Sequence, residues 1–187
     1  GEAEAAYRRA IGQQQSLLEQ YPDHAESLRL RNDLAISYAN LAMLEAQTGR
    51  IDEADRDYHR AVDLQRVLVD RDPQEARYLA HLATTYNNLS FLYAKRDPAK
   101  AREFCREALD LQKKLVKQHP NAAEYQSDLA LSYNNLGAME NQAERFDAAR
   151  DAYQQAITLA RGLVRRSPAV LAYRRDLAVS LNNLGRA

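Results

Sequence analysis

The amino-acid sequence predicts an all-α protein built as a solenoid of antiparallel helix pairs. Two patterns return at a nearly constant spacing along the 187 residues. Four prolines, Pro22, Pro73, Pro120 and Pro168, lie 51, 47 and 48 residues apart. The asparagines directly before a recurring Leu, Asn40, Asn88, Asn135 and Asn183, lie 48, 47 and 48 residues apart. A fixed period in this range is typical of an array of stacked repeats.

Each period contains two stretches whose apolar residues recur at helical spacing. The first stretch is clearest at Tyr125, Leu129, Ala130, Tyr133, Leu136 and Gly137. The second stretch carries Ala149, Tyr153, Ala156, Leu159 and Leu163. Each set falls on one face of a helix, and the small residues in both sets predict a close approach of the two helices. The proline after each second stretch predicts its end.

The pattern predicts one array over residues 1–187, with three whole helix pairs between two half units. The predicted segments are 1–22 (second helix of a partial repeat), 23–73, 74–120 and 121–168 (whole repeats), and 169–187 (first helix of a partial repeat). Both ends should therefore present apolar residues without a covering helix, namely Tyr7, Ile11 and Leu17 at one end and Leu177, Leu181 and Leu184 at the other. We interpret the chain as a piece of a longer protein, with self-association through the uncapped ends as one expected contact.

The residues of one unit carry the pattern of a known repeat. An aromatic residue lies three positions before a Leu that a small residue follows, and Ala, aromatic and Ala mark the second helix. The residues that carry this pattern are Tyr133, Leu136, Gly137, Ala149, Tyr153 and Ala156. The sequence resembles the tetratricopeptide repeat, in the long-unit form of kinesin light chain and of repeats in bacterial multidomain signalling proteins. It departs from that family at Glu45 and Glu140, which replace the aromatic residue that Tyr93 supplies.

The resemblance implies a right-handed superhelix whose first helices line a concave groove. Asn40, Asn88, Asn135 and Asn183 would then project near or into that groove. The residues expected to bind a peptide there are Asn40, Met43, Gln47, Asn87, Asn88, Phe91, Lys95, Asn134, Asn135, Gln142 and Asn183. An amide side chain both donates and accepts hydrogen bonds, so a series of them can hold an extended peptide backbone.

Composition and charge exclude several other classes of function. The chain has 26 basic and 26 acidic residues, and this zero net charge argues against binding to nucleic acid or to a membrane surface. No apolar run is long enough to span a membrane, and no signal peptide is visible. A single cysteine, Cys105, excludes an intramolecular disulfide framework and fits a reducing, cytoplasmic setting.

No residue pattern indicates catalysis, a metal site or a cofactor. The four histidines, His24, His59, His81 and His119, are far apart in sequence and match no metal-ligand spacing. Cys105 takes the place of a core Tyr, which favours a packed thiol over a nucleophile. We therefore expect no enzyme, with neither catalytic residues nor bound metal.

Two functions remain open at the level of sequence. The first is a protein-interaction scaffold that binds a peptide in its groove through the asparagines. The alternative is a structural or regulatory spacer that self-associates or packs on other domains, with the asparagines bridging helices. The spacing of Asp128, Ser132 and Asn135 predicts that these polar residues share one helix face. Of each Asn pair, we expect the earlier residue to matter less for folding than the later one.

Overall fold

The computed structural model describes residues 1–22, 24 and 26–187, and this part of the chain is helical throughout, without β-strands. Its helices are α1 (Glu2–Gln20), α2 (Ser27–Gln47), α3 (Ile51–Arg71), α4 (Ala76–Tyr93), α5 (Pro98–Gln118), α6 (Ala123–Gln142), α7 (Phe146–Arg166) and α8 (Leu171–Leu184). All except α8 contain 18 to 21 residues, which agrees with an expected helix length of roughly 30 Å. The all-α solenoid prediction is confirmed, whereas the handedness of the superhelix stays a prediction.

The chain divides into two compact units, Gly1–Leu92 and Tyr93–Ala187. The repeat boundaries read from the sequence stay a prediction, and the boundary at residue 23 lies outside the described residues. In the first unit, α1 packs on α2 and α2 packs on α3. In the second unit, α5 and α7 both pack on α6, and α8 contacts both α7 and α6. By the repeat pattern of the sequence, the first helices are α2, α4, α6 and α8, and the second helices are α1, α3, α5 and α7.

Each unit has an apolar core between its first and second helices. The core of the first unit includes Ile11, Leu34, Tyr38, Leu41 and Ala61. The core of the second unit includes Cys105, Leu109 and Leu129, with Tyr133, Leu136 and Met139 packed against them. The sequence places Ile11 among the uncovered residues, but it is buried because its side chain faces α2. Cys105 is fully buried, and its thiol lies 3.7 Å from the carbonyl oxygen of Ser132.

Small residues bring α6 and α7 into close contact, as the sequence predicts. Ala149 and Ala156 have no exposed surface. A Cβ atom at Gly137 would lie 2.5 Å from Cε1 of Tyr153, so the ring of Tyr153 occupies the space beside the glycine. The absence of a side chain at Gly137 is therefore required by the neighbouring helix.

The turns within the α2–α3 and α6–α7 pairs have the same backbone geometry. The amide of Arg50 donates to the carbonyl of Glu45, and the amide of Arg145 donates to the carbonyl of Glu140, both over 2.9 Å. The central residue has a left-handed backbone in each, at Gly49 with φ of 80° and Glu144 with φ of 58°. Both turns close the helix end by the left-handed conformation that glycine adopts most easily.

The two glutamates that replace the family's aromatic residue are buried and paired with arginines. Glu45 is fully buried, and its Oε1 lies 3.0 Å from Nη2 of Arg8 on α1. Burial raises the pKa of the Glu45 carboxyl. Glu140 is also buried and accepts a hydrogen bond from Nε of Arg145. The arginines allow a carboxylate to take an interior position that an aromatic ring fills elsewhere.

Candidate functional site

Each first helix carries a stripe of half-buried and exposed residues centred on the asparagine that directly precedes the recurring Leu. We call each of these an amide stripe. The four stripes consist of Ile36, Asn40, Met43 and Gln47 on α2; Thr84, Asn88, Phe91 and Lys95 on or just after α4; Leu131, Asn135, Ala138 and Gln142 on α6; and Val179 and Asn183 on α8. Their members lie three or four residues apart and so share one helix face.

The amide stripes expose large apolar side chains. Phe91 and Leu131 are each 57% exposed, and Val179 is 46% exposed. Met43 is exposed to a similar extent. The stripes therefore combine apolar area with an amide at their centre.

The central amides of the stripes keep their hydrogen-bonding capacity. Asn40, Asn88, Asn135 and Asn183 are all half-buried. None of their side chains takes part in a hydrogen bond with another residue that the structure describes. Each amide can offer two donor hydrogens and an acceptor oxygen. These four residues are thus partly accessible to solvent, and their role in binding stays a prediction.

The earlier asparagine of the pair has a different role in α6. Asn134 is only 7% exposed, and its Nδ2 donates to Oγ of Ser180 on α8 over 2.7 Å. Ser180 in turn donates to the carbonyl oxygen of Asp176 over 2.8 Å. The prediction that Asn134 lines the groove is wrong, because its side chain lies inside the contact between two first helices. Asn87, the corresponding residue of α4, is half-buried.

Asp128, Ser132 and Asn135 lie on one face of the continuous helix α6, as their spacing predicts, but they differ in exposure. Ser132 has no exposed surface, whereas Asp128 is exposed and Asn135 is half-buried. At the position of Ser132 in other first helices, Ser37 and Thr85 donate to the carbonyl four residues earlier, over 2.9 and 3.1 Å. A hydroxyl bonded to its own helix can be buried at little cost. Residues on one helix face therefore differ in exposure, because the neighbouring helices cover some turns of that face and leave others open.

The remaining polar residues of the predicted site lie at the ends of the stripes. Gln47, Lys95 and Gln142 are exposed at the C-terminal end of a first helix or just beyond it. Sequence reasoning left out Leu131 and Val179 as binding residues. Their apolar character at the position five residues before the recurring Leu was the available signal.

The titratable residues are distributed without a cluster that resembles a metal centre. Among the described residues, no group of three or more His, Cys, Asp or Glu side chains is close enough to hold a metal ion. His81 lies 3.0 Å from Oδ1 of Asn32 through its Nδ1, and burial lowers the pKa of its imidazole. Within the described part of the chain, no helix combines the length and apolar character needed to cross a membrane.

Three solved structures with a similar fold are distant in sequence. BtubC (BKLC) from P. vanneervenii is 17% identical, with 99% of this chain and 88% of that chain covered and a TM-score of 0.43. A thermophilic TPR protein of Thermus thermophilus is 19% identical, with coverages of 94% and 90% and a TM-score of 0.44. A de novo designed helical repeat protein is 14% identical, with coverages of 99% and 96% and a TM-score of 0.39. A comparison with curated proteins found no significant match.

The sequence profile of the tetratricopeptide repeat matches three stretches of the chain. They are residues 34–75, 82–121 and 129–166, which together make up more than half of the sequence. Each stretch holds most of one first helix and the second helix that follows it. The profile has a physical basis in the packing of the helices. Gly137 lies close against Tyr153, and the alanines of α7 are buried. The chain belongs to the tetratricopeptide repeat family.

Proposed function

We propose that this chain, whose repeat family indicates a protein–protein interaction scaffold, binds extended peptide segments against the amide stripes within each of its two compact units, those of α2 and α4 in the first and those of α6 and α8 in the second. One observation carries the proposal. The central amides, Asn40, Asn88, Asn135 and Asn183, are half-buried and form no hydrogen bond to a described residue. The polar atoms of these amides are not among the buried, unpaired atoms of the described chain, so they are open to water and a ligand's backbone groups can replace their bonds to solvent.

The chemistry of the stripes suits a peptide backbone. An extended segment presents N–H and C=O groups in alternation, and each Asn side chain can pair with one of either kind. Such bonds are independent of the ligand's sequence, so affinity would come from the amides and selectivity from the residues beside them. The two residues that flank an amide on its helix supply this selectivity.

The flanking residues indicate which ligand side chains fit. On α4, Phe91 offers a large exposed ring one turn after Asn88. On α6, Leu131 offers an exposed aliphatic side chain one turn before Asn135. Burying such side chains against a partner contributes roughly 25 cal/mol per Å² of apolar surface. We therefore propose a ligand with apolar side chains that alternate with backbone bonded to the amides.

A second candidate function is the structural spacer. The hydrogen bond from Asn134 to Ser180 favours it, because this amide joins neighbouring first helices and is unavailable to a ligand. The two functions differ in what they require of the later asparagines. A spacer requires only the buried amide of Asn134, whereas a peptide scaffold requires the half-buried amides of the later asparagines.

The test begins with selection of ligands from a phage-displayed library of short random peptides on the purified chain. Affinity of a selected peptide is then measured by calorimetry for Asn88→Ala, Asn135→Ala and the double variant. We expect the double variant to bind about tenfold more weakly or worse, equal to about 1.4 kcal/mol. Its melting temperature should stay the same or rise slightly, because Ala is the better helix former.

The matched control is Gln154→Ala, which removes an exposed amide from α7. This variant should bind the selected peptides as the parent does. If no peptide is selected, or if the double variant keeps full affinity, the peptide-binding proposal is wrong. A lower stability of the double variant by about 2 kcal/mol would instead assign these amides to the architecture.

A further inference from the structure

The two compact units carry opposite net charges, although the chain as a whole is neutral. Gly1–Leu92 contains 10 basic and 15 acidic residues, whereas Tyr93–Ala187 contains 16 basic and 11 acidic residues. An excess of one sign in one part of a chain attracts partners of the opposite sign to that part. The second unit is therefore expected to attract anionic groups.

Part of the basic excess lies at repeated positions in the C-terminal halves of α5 and α7. Lys113 and Lys117 lie on α5, and Arg161 and Arg165 lie at the same positions of the repeat on α7, 48 residues later. All four residues are exposed, and those of α5 are exposed although the next second helix lies in the same unit. Both helices pack on α6, and residues of both line one recess beside it. We call these four residues the basic patch.

Only Lys113 of the basic patch has a carboxylate partner among the described residues. Its Nζ lies 3.1 Å from Oδ1 of Asp110, and the two side chains are 50% and 77% exposed. Such an exposed ion pair is weak, because water competes for both groups. The charged groups of Lys117, Arg161 and Arg165 form no ion pair or hydrogen bond within the part of the chain that the structure describes. These charges are available to an anion from outside.

Helix stability accounts for only two of the four cations. A basic residue in the last turn interacts favourably with the helix dipole, and Lys117 and Arg165 lie in the last turns of their helices. Lys113 and Arg161 lie one turn earlier, where this effect has largely decayed. Each of them also stands four residues from a like charge, an arrangement that destabilises a helix. An anion bound between the like charges would remove this repulsion.

The corresponding positions of the first unit do not form a basic patch. The residues there are Gln15 and Glu19 on α1 and Arg66 and Asp70 on α3. Gln15 donates to the hydroxyl of Tyr38 over 2.9 Å, and Arg66 donates to that of Tyr86 over 2.8 Å. Four cations at these positions are therefore a property of the second unit and not a requirement of the repeat fold.

Carboxylates on the same two helices restrict the length of an anion that the patch can accept. The exposed acidic residues that precede the patch are Glu103, Glu107, Asp110, Asp147 and Asp151. From Lys113 to Lys117 the helix axis advances by about 6 Å. A nucleic acid carries phosphates along its whole length, so it would bring some of them against these carboxylates. A short acidic peptide segment can place its carboxylates on the cations alone.

We propose that the basic patch binds a short acidic peptide segment of a partner protein. The carboxylates of the segment pair with Lys113 and Lys117 on α5 and with Arg161 and Arg165 on α7. Each guanidinium group can donate two parallel hydrogen bonds to one carboxylate, which favours Asp and Glu side chains as ligands. The basic patch lies on second helices, whereas the amide stripes lie on first helices, so the two surfaces bind different ligands.

The test measures the binding of a fluorescein-labelled peptide of alternating Glu and Gly by fluorescence anisotropy. The double variants Lys113→Gln/Lys117→Gln and Arg161→Gln/Arg165→Gln should each weaken binding about tenfold or more, because each removes two charge-assisted contacts. The fourfold variant should show no measurable binding. Added salt should weaken binding to the parent chain, because the charges on both sides are exposed. A peptide with Gln in place of Glu should not bind.

The matched control is the double variant Arg56→Gln/Arg150→Gln. It removes the same number of cations from exposed positions of second helices, but outside the basic patch. This control should bind the acidic peptide as the parent does. The outcome does not depend on the amide stripes, because no residue of the patch belongs to one of them.

Four results would overturn the proposal. The acidic peptide could fail to bind the parent chain. The fourfold variant could bind as tightly as the parent while circular dichroism shows it to be folded. The control could lose as much affinity as the patch variants, which would mean that net charge alone attracts the peptide. A single-stranded DNA oligonucleotide could bind more tightly than the peptide and lose affinity in the same variants, which would assign the patch to nucleic acid.

Discussion

Helices α6 and α8 carry the same residue pattern, yet the corresponding side chains are more exposed on α8 than on α6. On α6, Leu129 and Ala130 are 5% and 3% exposed, because α5 and α7 both pack on this helix. On α8, whose contacts in the described chain are with α7 and α6, the corresponding Leu177 is half-buried and Ala178 is exposed. The comparison indicates that α6 owes much of its burial to α7, the second helix that follows it. Equal residues should therefore contribute unequally to stability.

The largest expected difference concerns the leucines at the centre of the pattern. Leu129→Ala should lower the free energy of unfolding by about 2–4 kcal/mol, since it leaves a cavity in a packed interior. Leu177→Ala should lower it by about 1 kcal/mol, because its side chain is already partly in water. Urea denaturation at a concentration where the chain is monomeric measures both. Equal losses would contradict the view that the following second helix supplies much of the burial.

The corresponding glycines of α6 and α8, Gly137 and Gly185, should differ by an intermediate amount in the stability that is lost when each is replaced by Ala. Gly137→Ala should lower the free energy of unfolding by about 1–2 kcal/mol, because the added methyl group overlaps the ring of Tyr153. Gly185→Ala should leave stability unchanged or raise it, since Ala favours a helix by up to about 1 kcal/mol over Gly. Thermal melting of both variants gives the comparison.

A double-mutant cycle checks the cause of the glycine effect. In a Tyr153→Leu background, Gly137→Ala should be less destabilising than in the parent, because the ring that it overlaps is gone. An unchanged loss in that background would mean that the backbone of α7, and not the ring, limits the approach of the helices.

The smallest expected difference in stability concerns Asn134 and Asn182, which occupy corresponding positions on α6 and α8. Asn134→Ala should lower the free energy of unfolding by about 0.5–1 kcal/mol, because the lost bond to Ser180 outweighs the gain in helix propensity. Asn182→Ala, at the exposed counterpart on α8, should not lower it. Guanidinium denaturation measures both variants. A larger loss for Asn135→Ala than for Asn134→Ala would restore the expectation from the sequence that the later asparagine matters more for folding.

The sequence by itself determined the helix pairs and the residues at their close contacts. The spacing of Leu136, Gly137, Ala149 and Ala156 is a local property of the chain, and helical geometry converts it directly into one face of each helix. The pattern placed several residues on uncovered faces; of these, Leu17 and Leu181 are 44% and 42% exposed, whereas Tyr7, Leu177 and Leu184 are half-buried. It could not tell that Ile11, on the same helix as Leu17, faces α2 instead.

Only the tertiary structure decided which asparagine of a pair is interior. Asn134 and Asn135 are chemically identical and lie about 100° apart around the helix axis. Burial of the first and partial exposure of the second depend on where α8 crosses α6, and on Ser180 being there to accept the bond. The same applies to Ser132, which lies inside while Asp128 stays in solvent. The packing of neighbouring helices determines which side chains of a helix are buried. The spacing of residues within that helix does not contain this information.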